Sequence, residues 1–259
     1  MDKKYFFFDI DGTLTDLATG IIVPSALAAL KKLREAGHFV AVATGRAYYK
    51  ARPVFEQAGF DNMVCYGGNG LVIDRKLVEY RPLDYTLAKA LYDECLEKNY
   101  GILVAEDDSQ KVYARDFSFY DQVGPRMEPT TYIIDEHYDP ADREAIYKLY
   151  VAVPPEDEDE LEALAHIGHL RLEASYLVIQ PDDKIGGIYR MLDHVGGQRK
   201  DVVVFGDDYN DLVMFEDEAF HRVAMGNACQ ALKDKADQVA PRNVDDGIYK
   251  ICEANGWFE

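Results

Sequence analysis

The chain has 259 residues, of which 48% are hydrophobic, enough for one large domain or two smaller ones. Its net charge of −19 argues against nucleic acid and anionic membranes as partners, because both would repel a polyanion. No apolar run approaches the roughly 18 residues of a membrane-spanning helix, and the N-terminus lacks the apolar core of a signal peptide, so we expect a cytoplasmic protein.

The cysteines form no metal or redox motif. Cys65, Cys95, Cys229 and Cys252 are far apart in the sequence, and no two of them make a Cys-x-x-Cys pair. We therefore expect buried free thiols.

The charge is unevenly distributed along the chain. Residues 83–182 contain 23 acidic and 8 basic residues, a net charge of −15, whereas the rest contains 24 and 20, a net charge of −4. A shift of this size indicates that the middle hundred residues form a separate unit.

The first predicted element is a strand from Tyr5 to Phe8, a continuous apolar run typical of a strand buried on both faces. Asp9 and Asp11 follow it, and Gly12 then allows a tight turn. The two acidic side chains would point the same way if the strand continued that far. Carboxylates at the carboxyl end of a parallel strand stand where open α/β sheets bind ligands. For a lone Asp-x-Asp pattern, the alternative of a solvated turn or a helix cap would be favoured.

The rest of the first eighty residues alternates helix and strand. Pro24 suits the first turn of a helix and Gly37 its end. Pro53 is expected to shorten or kink a second helix that starts near Tyr48. The other elements predicted here are strands over residues 38–43 and 63–66 and a hairpin over 71–73 and 77–80.

Arg81-Pro82 and Pro181 are predicted to be hinges, and the segment between them differs in its pattern of secondary structure. Helices and hairpins mix between them, which predicts an α+β insert over residues 83–182, and its two linkers would let it move as a lid. The acidic run from Pro154 to Glu160 is expected to open a helix, because acids suit the positive end of a helix dipole. The other elements predicted here are a helix over 84–99, strands over 102–105, 111–115, 132–134 and 146–153, and a hairpin over 169–173 and 176–180.

The alternation of strand and helix resumes after the insert. A helical stripe over 185–195 ends at Gly196-Gly197, and residues 201–205 form a strongly buried strand. We therefore predict an α/β core domain, residues 1–82 and 183–259, with a Rossmann-like parallel sheet and helices on both faces.

Two further clusters have weak signals when taken alone. Thr44-Gly45-Arg46 follows a buried strand, and a hydroxyl with backbone N–H groups at a helix start can bind an anion, although Thr and Gly also simply cap helices. Arg46 could reach an anion too, but exposed arginines are common and we assign it no role. Lys184 starts a helix beside two acids, and from this residue alone a surface lysine is expected.

The last cluster, Gly206-Asp207-Asp208-Tyr209-Asn210-Asp211, places three acids and an amide on a turn after a buried strand. Carboxylates that are buried close together repel one another, so we expect a bound cation to neutralise them. Hard carboxylate oxygens favour Mg²⁺.

The four clusters resemble, in order, the four motifs of the haloacid dehalogenase superfamily of phosphatases. Asp9-x-Asp11-Gly12-Thr13 matches the first motif, Thr44 the second, Lys184 the third, and Gly206-Asp207-x-x-Asn210-Asp211 the fourth. Residues 223–228, 236–237 and 245–247 also look like the Cof-type branch, whose cap domain is inserted between the second and third motifs. The insert over 83–182 resembles that cap in place and size only.

The resemblance implies the reaction. Asp9 would attack phosphorus and become an aspartyl phosphate, and Asp11 would protonate the leaving oxygen and then deprotonate the attacking water. Lys184 would balance the charge of phosphate and nucleophile.

It also implies the ligands. Thr44, Gly45, Lys184 and Asn210 would contact the substrate phosphate or its bound water. Mg²⁺ would be bound by Asp9, Asp207 and the backbone carbonyl of Asp11. Asp211 would orient metal-bound water or Lys184, and Asp208 would stand behind the direct ligands.

The leading hypothesis is therefore a magnesium-dependent phosphatase of a small phosphorylated metabolite, such as a sugar phosphate. A phosphotransferase or phosphomutase of the same superfamily is the alternative enzyme. A phospho-acceptor signalling domain is the alternative from another class. Asp11 argues against the signalling domain, because a long-lived aspartyl phosphate needs no adjacent acid or base, and so does the large insert.

Overall fold

The computed structural model describes residues 2–126 and 129–259, apart from the side chains of residues 172 and 173. The chain forms two compact units, Met1–Tyr80 with Asp183–Glu259 and Arg81–Asp182. We call the first the core unit and the second the inserted unit. The sequence placed the first junction two residues later, after residue 82.

The first half of the core unit alternates strands and helices and ends in a hairpin. Pro24 opens the first helix, and Gly37, at φ +86°, follows its end as expected. Pro53 lies inside the second helix, which continues through it because its buried face, including Val54 and Phe55, stabilises the turns on both sides. These elements are β1 (Tyr5–Phe8), α1 (Pro24–Glu35), β2 (Phe39–Ala43), α2 (Tyr48–Gln57), β3 (Asn62–Cys65), β4 (Gly70–Ile73) and β5 (Lys76–Tyr80).

The inserted unit has its own sheet, with strand order β10-β11-β9-β6-β7-β8. All pairs are antiparallel except β7 with β8. The acidic run forms a 3-10 helix, Pro155–Glu160, and not the start of an α-helix, because Leu161 is extended and ends it. The elements are α3 (Tyr85–Glu97), β6 (Ile102–Ala105), β7 (Lys111–Ala114), α4 (Ser118–Val123), β8 (Thr131–Ile134), β9 (Lys148–Val151), β10 (His169–Glu173) and β11 (Tyr176–Ile179).

The second half of the core unit returns to the alternation. Its helix begins at Lys184 and ends at Gly196, which is left-handed at φ +70°. The elements are α5 (Lys184–Val195), β12 (Val202–Gly206), β13 (His221–Ala224), α6 (Gln230–Lys235), β14 (Gln238–Val239) and α7 (Gly247–Ala254).

The core sheet has eight strands in the order β14-β13-β12-β1-β2-β3-β4-β5. Neighbouring strands from β14 to β3 pair in parallel, whereas β4 pairs antiparallel with both β3 and β5. Alternate side chains of β1 enter different hydrophobic clusters: Phe6 and Phe8 pack with α1, α2 and α7, whereas Phe7 packs with α5 and α6. The predicted α/β class, with helices on both faces, is confirmed. In the centre, β1 pairs with β2 on one side and with β12 on the other, so the residues that follow these strands meet at one edge.

The four cysteines are free thiols, and Cys229 is half-buried while the other three are buried. Among the described residues, no helix combines the length and the apolar character that crossing a membrane requires.

Candidate active site

Three carboxylates converge at the carboxyl edge of the core sheet. Asp9 follows β1, Asp207 follows β12, and Asp211 lies on the 3-10 helix Tyr209–Phe215. Each offers an oxygen within 4.8 Å of the others. They are only 4%, 5% and 0% exposed. Parallel pairing of β1 with β12 brings the first two together although they are 198 positions apart.

Lys184 lies in the middle of these acids. Its Nζ donates to Asp9 Oδ1 at 2.9 Å and to Asp211 Oδ1 at 2.6 Å. Asp183 caps α5 by accepting from the N–H of Gly186 at 3.0 Å, which fixes where the helix starts. The side chain is 1% exposed, so the expectation of a surface lysine is wrong. Two acids distant in sequence provide the partners that allow the charge to be buried.

Asp11 is directed elsewhere. Its carboxylate accepts from Arg46 Nε at 2.8 Å and from Arg46 Nη2 at 2.5 Å, and its side chain is 49% exposed. Strand β1 ends at Phe8, so the two-residue period does not extend to Asp9 and Asp11, and Gly12 turns the chain at φ +76°. Asp11 is therefore paired with an arginine to which the sequence assigned no role.

Thr44 directly follows β2 and is 1% exposed. Its Oγ1 accepts from the backbone N–H of Arg46 at 3.1 Å, and its own N–H donates to Val64 O at 2.9 Å. Gly45 stands between them, half-buried. The same short loop thus holds the buried hydroxyl and the arginine that binds Asp11.

A family model described as haloacid dehalogenase-like hydrolase matches residues 6–251. The chain belongs to this family. The resemblance read from the four motifs is confirmed, and with it the prediction of a phosphatase of the haloacid dehalogenase superfamily.

Individual relatives match this hydrolase along nearly its whole length. YkrA of Bacillus subtilis is 28% identical over 257 residues, covering 98% of each chain. The pyridoxal phosphate phosphatase YbhA of Escherichia coli is 28% identical over 275 residues, covering 97% of this chain and 98% of YbhA. A solved structure from Geobacillus kaustophilus superposes with a TM-score of 0.83 at 26% identity, covering 99% and 100% of the two chains.

The pKa values in the hydrolase reflect crowding of like charges. Burial raises the pKa of Asp207 to about 7, the charge of Asp211 adds to the rise, and the hydrogen bond from Thr13 opposes it. Burial raises the pKa of Asp9 as well, with Asp211 next in size, although Lys184 pulls it down. For Lys184, burial alone would lower the pKa, but Asp211 and Asp9 outweigh it and hold the pKa above its ordinary value.

These residues fit a divalent cation. With every group ionised, three carboxylates and one ammonium leave a net charge of −2 in a buried space. All the donors are hard oxygen atoms, which suits Mg²⁺ better than softer metals.

The fourth motif folds around Asp211. Asp211 Oδ2 accepts from the N–H groups of Asp207 at 2.9 Å and Asp208 at 3.2 Å. Asp211 was expected to orient metal-bound water or Lys184, and its carboxylate lies within the cluster, where Oδ1 accepts from Lys184 Nζ at 2.6 Å. Asp208 is exposed and accepts from the N–H of Tyr209, and Asn210 is half-buried on the same 3-10 helix.

Two residues that the sequence did not assign contact Asp207. Thr13 Oγ1 donates to Oδ1 at 3.1 Å, and Asn227 Nδ2 donates to Oδ2 at 3.3 Å. Both lie in stretches that carried the family resemblance, which is the signal that could have marked them.

Proposed function

We propose that this hydrolase uses Asp9 to remove the phosphoryl group from a small phosphorylated metabolite, such as a sugar phosphate, with Mg²⁺ as cofactor. The observation that carries the proposal is the setting of Asp9. Lys184 binds Oδ1, and among the described residues no donor hydrogen-bonds Oδ2. A buried carboxylate held at one oxygen leaves the other oriented for attack on phosphorus.

Asp9 attacks phosphorus, an aspartyl phosphate forms, and the bond to the ester oxygen breaks. Asp11 gives that oxygen its proton and then takes one from the water that hydrolyses the intermediate. The exposed carboxylate of Asp11 suits a group that must exchange protons with solvent.

Charge on the transferring group is balanced by residues from several elements. We assign Thr44 and Gly45 to the phosphate oxygens, with Lys184 between phosphate and nucleophile and Asn210 at the substrate side. Asp9, Asp207 and the backbone carbonyl of Asp11 would bind Mg²⁺, and Asp211 would orient its water or Lys184. When bound there, Mg²⁺ would supply positive charge against the negative charge that develops during transfer.

The inserted unit is proposed to act as the cap domain that biases substrate choice. Residues 83–182 carry a net charge of −15, a field that disfavours polyanions such as nucleoside triphosphates. Monophosphates are less affected, and YbhA, by its name, acts on a monophosphate.

A panel of phosphorylated metabolites, assayed for released phosphate with and without Mg²⁺, tests the function. We expect magnesium-dependent hydrolysis of small monophosphates and none by Asp9→Asn. Full activity after exhaustive chelation would contradict the metal, and a nucleoside triphosphate as best substrate at low ionic strength would contradict the charge argument. Transfer of the phosphoryl group to a sugar, without phosphate release, would favour the phosphomutase alternative.

A further inference from the structure

The carboxylate of Asp207 is held at both oxygens by donors from different parts of the core unit. Thr13, in the loop after β1, donates to Oδ1 at 3.1 Å, and Asn227, after β13, donates to Oδ2 at 3.3 Å. Gly12 lies against the same group, since a Cβ there would come within 2.0 Å of Oδ2. The carboxylate thus has one defined orientation.

The amide of Asn227 has a direction that its hydrogen bonds determine. The backbone N–H of Asn243 donates to Asn227 Oδ1 at 3.0 Å, while Asn227 Nδ2 donates to Gly12 O at 2.9 Å as well as to Asp207. A reversed amide would place its oxygen against a carbonyl and a carboxylate, and its NH₂ against an N–H. The amide can therefore present only donors to Asp207.

The loop that carries Asn227 is itself fixed to the site. The N–H of Cys229 donates to Asp207 O at 2.8 Å, and that of Met225 donates to Gly206 O at 3.0 Å. Behind it, the buried side chain of Asn243 donates to Thr15 O at 2.8 Å. Asn227 is consequently a rigid donor and not a surface side chain that happens to reach an acid.

We propose that Asn227 and Thr13 are positioning residues that orient Asp207 for binding the divalent cation. The inference rests on the proposed function in that it requires the metal. Asp207 is crowded by Asp9 and Asp211, and their repulsion would turn its carboxylate away if neither oxygen had a donor. Partners of this kind behind metal ligands typically contribute about 10- to 100-fold to metal affinity.

The test compares the full-length wild type with Asn227→Ala and with a matched control, Asn255→Ala. The control amide also makes two short bonds, to Gln238 Oε1 at 2.9 Å and to Ile251 O at 2.8 Å, and these do not involve Asp207. Chelator-treated proteins are titrated with MgCl₂ by calorimetry, and Tm is followed in parallel. We expect the Kd for Mg²⁺ to rise about 10- to 100-fold in Asn227→Ala and to stay at the wild-type value in Asn255→Ala.

A second pair of variants covers the case in which Asn227→Ala does not fold. Thr13→Val keeps the side-chain shape and loses the donor, whereas Thr13→Ser keeps the hydroxyl. Weakened Mg²⁺ binding in the first and recovery in the second would support the proposal. Wild-type affinity for Mg²⁺ in folded Asn227→Ala or Thr13→Val would overturn this proposal and leave the proposed function standing. A wild type that binds no Mg²⁺ would overturn it together with the metal-dependent function.

Discussion

Asp9 and Asp11 are separated by one residue, yet their surroundings differ completely. Asp9 is buried beside Lys184 and two further acids, and Asp11 is half exposed beside Arg46. The first environment holds one oxygen of Asp9 through Lys184, and the second leaves the Asp11 carboxylate in contact with water. The two residues should therefore respond differently to the same substitution.

Asp11→Asn should separate substrates by their leaving group. An alkyl oxygen has a high pKa and needs the proton that we propose Asp11 supplies, whereas a nitrophenolate leaving group does not. We expect the first step to fall by about 10²–10⁴-fold with alkyl esters and much less with nitrophenyl phosphate. Because water activation also needs a base, phospho-enzyme should accumulate, which a burst experiment and detection of phosphate on Asp9 would reveal.

Asp9→Asn is the control, since it should abolish turnover of both esters and trap nothing. Equal losses with alkyl and aryl esters in Asp11→Asn, without a trapped intermediate, would assign Asp11 another role.

Mg²⁺ binding should release protons below pH 7. The metal-free pKa of Asp207 is raised from 3.8 to about 7, so below that pH the carboxylate holds a proton that the metal must displace. The apparent Kd should therefore rise as pH falls through 7, by up to about tenfold per pH unit for one proton. Calorimetry in buffers of different ionisation enthalpy measures the released protons, and an affinity that is constant from pH 5.5 to 7.5 would contradict the prediction.

At the scale of elements, the sequence predicted those helices and strands whose formation depends on neighbouring residues in the chain. The apolar run of β1, the proline start of α1 and the hairpin of β4 with β5 all follow from short stretches of sequence. The burial of Lys184 could not be predicted in this way, because its stability depends on Asp9 and Asp211, which only the sheet topology brings near. The same limit hid Asn227, whose partners are more than 15 residues away in the sequence.

Arg190 of α5 joins elements that meet where the inserted unit leaves the core unit. Its Nε donates to Glu79 Oε1 on β5 at 2.8 Å, its Nη2 donates to Gly68 O, and its Nη1 lies 3.7 Å from Asp183 Oδ2. The side chain is only 19% exposed, so water compensates these bonds poorly.

Arg190→Met should lower the free energy of unfolding by about 1–3 kcal/mol, the usual range for lost hydrogen bonds to charged groups. Lys31→Met is the matched control, because Lys31 forms an exposed pair with Glu35 on one helix, worth about 0.3–0.5 kcal/mol. Urea unfolding measures both. Equal effects of the two substitutions would show that the Arg190 contacts add no more than a surface pair.

At the scale of the whole molecule, His38 connects the N-terminal and C-terminal ends of the core unit. The N–H of Lys4 donates to His38 Nδ1 at 3.1 Å, so the ring proton is on Nε2, which donates to Trp257 O at 3.1 Å. Burial is the largest influence and lowers the pKa of His38 below 6.5. The folded state thus keeps the ring neutral.

Stability should consequently fall on acidification. Just below pH 6.5 the unfolded chain binds a proton at His38 that the folded chain does not. The contribution of the neutral ring to the free energy of unfolding is therefore complete above pH 6.5. It is lost as the pH falls towards the lower pKa of the folded state. His38→Gln cannot titrate, and its stability should change less between pH 7.5 and 5.5 than that of the wild type. Fluorescence of Trp257, the single tryptophan, follows urea unfolding at each pH. If the stabilities of the two proteins changed equally with pH, His38 would not be the source of the pH dependence.

The contacts of Arg190 also have an evolutionary consequence. The core unit breaks after Tyr80 and resumes at Asp183, and one guanidinium reaches both Glu79 and Asp183. The two ends of the break are therefore neighbours. The contacts that hold them together lie within the core unit, which also carries Asp9, Lys184 and Asp207. A gene could exchange the segment encoding residues 81–182 for another of different length and keep the frame of the candidate site. If the inserted unit is the cap domain proposed above, modules grafted at this point would diversify recognition while the chemistry was inherited unchanged.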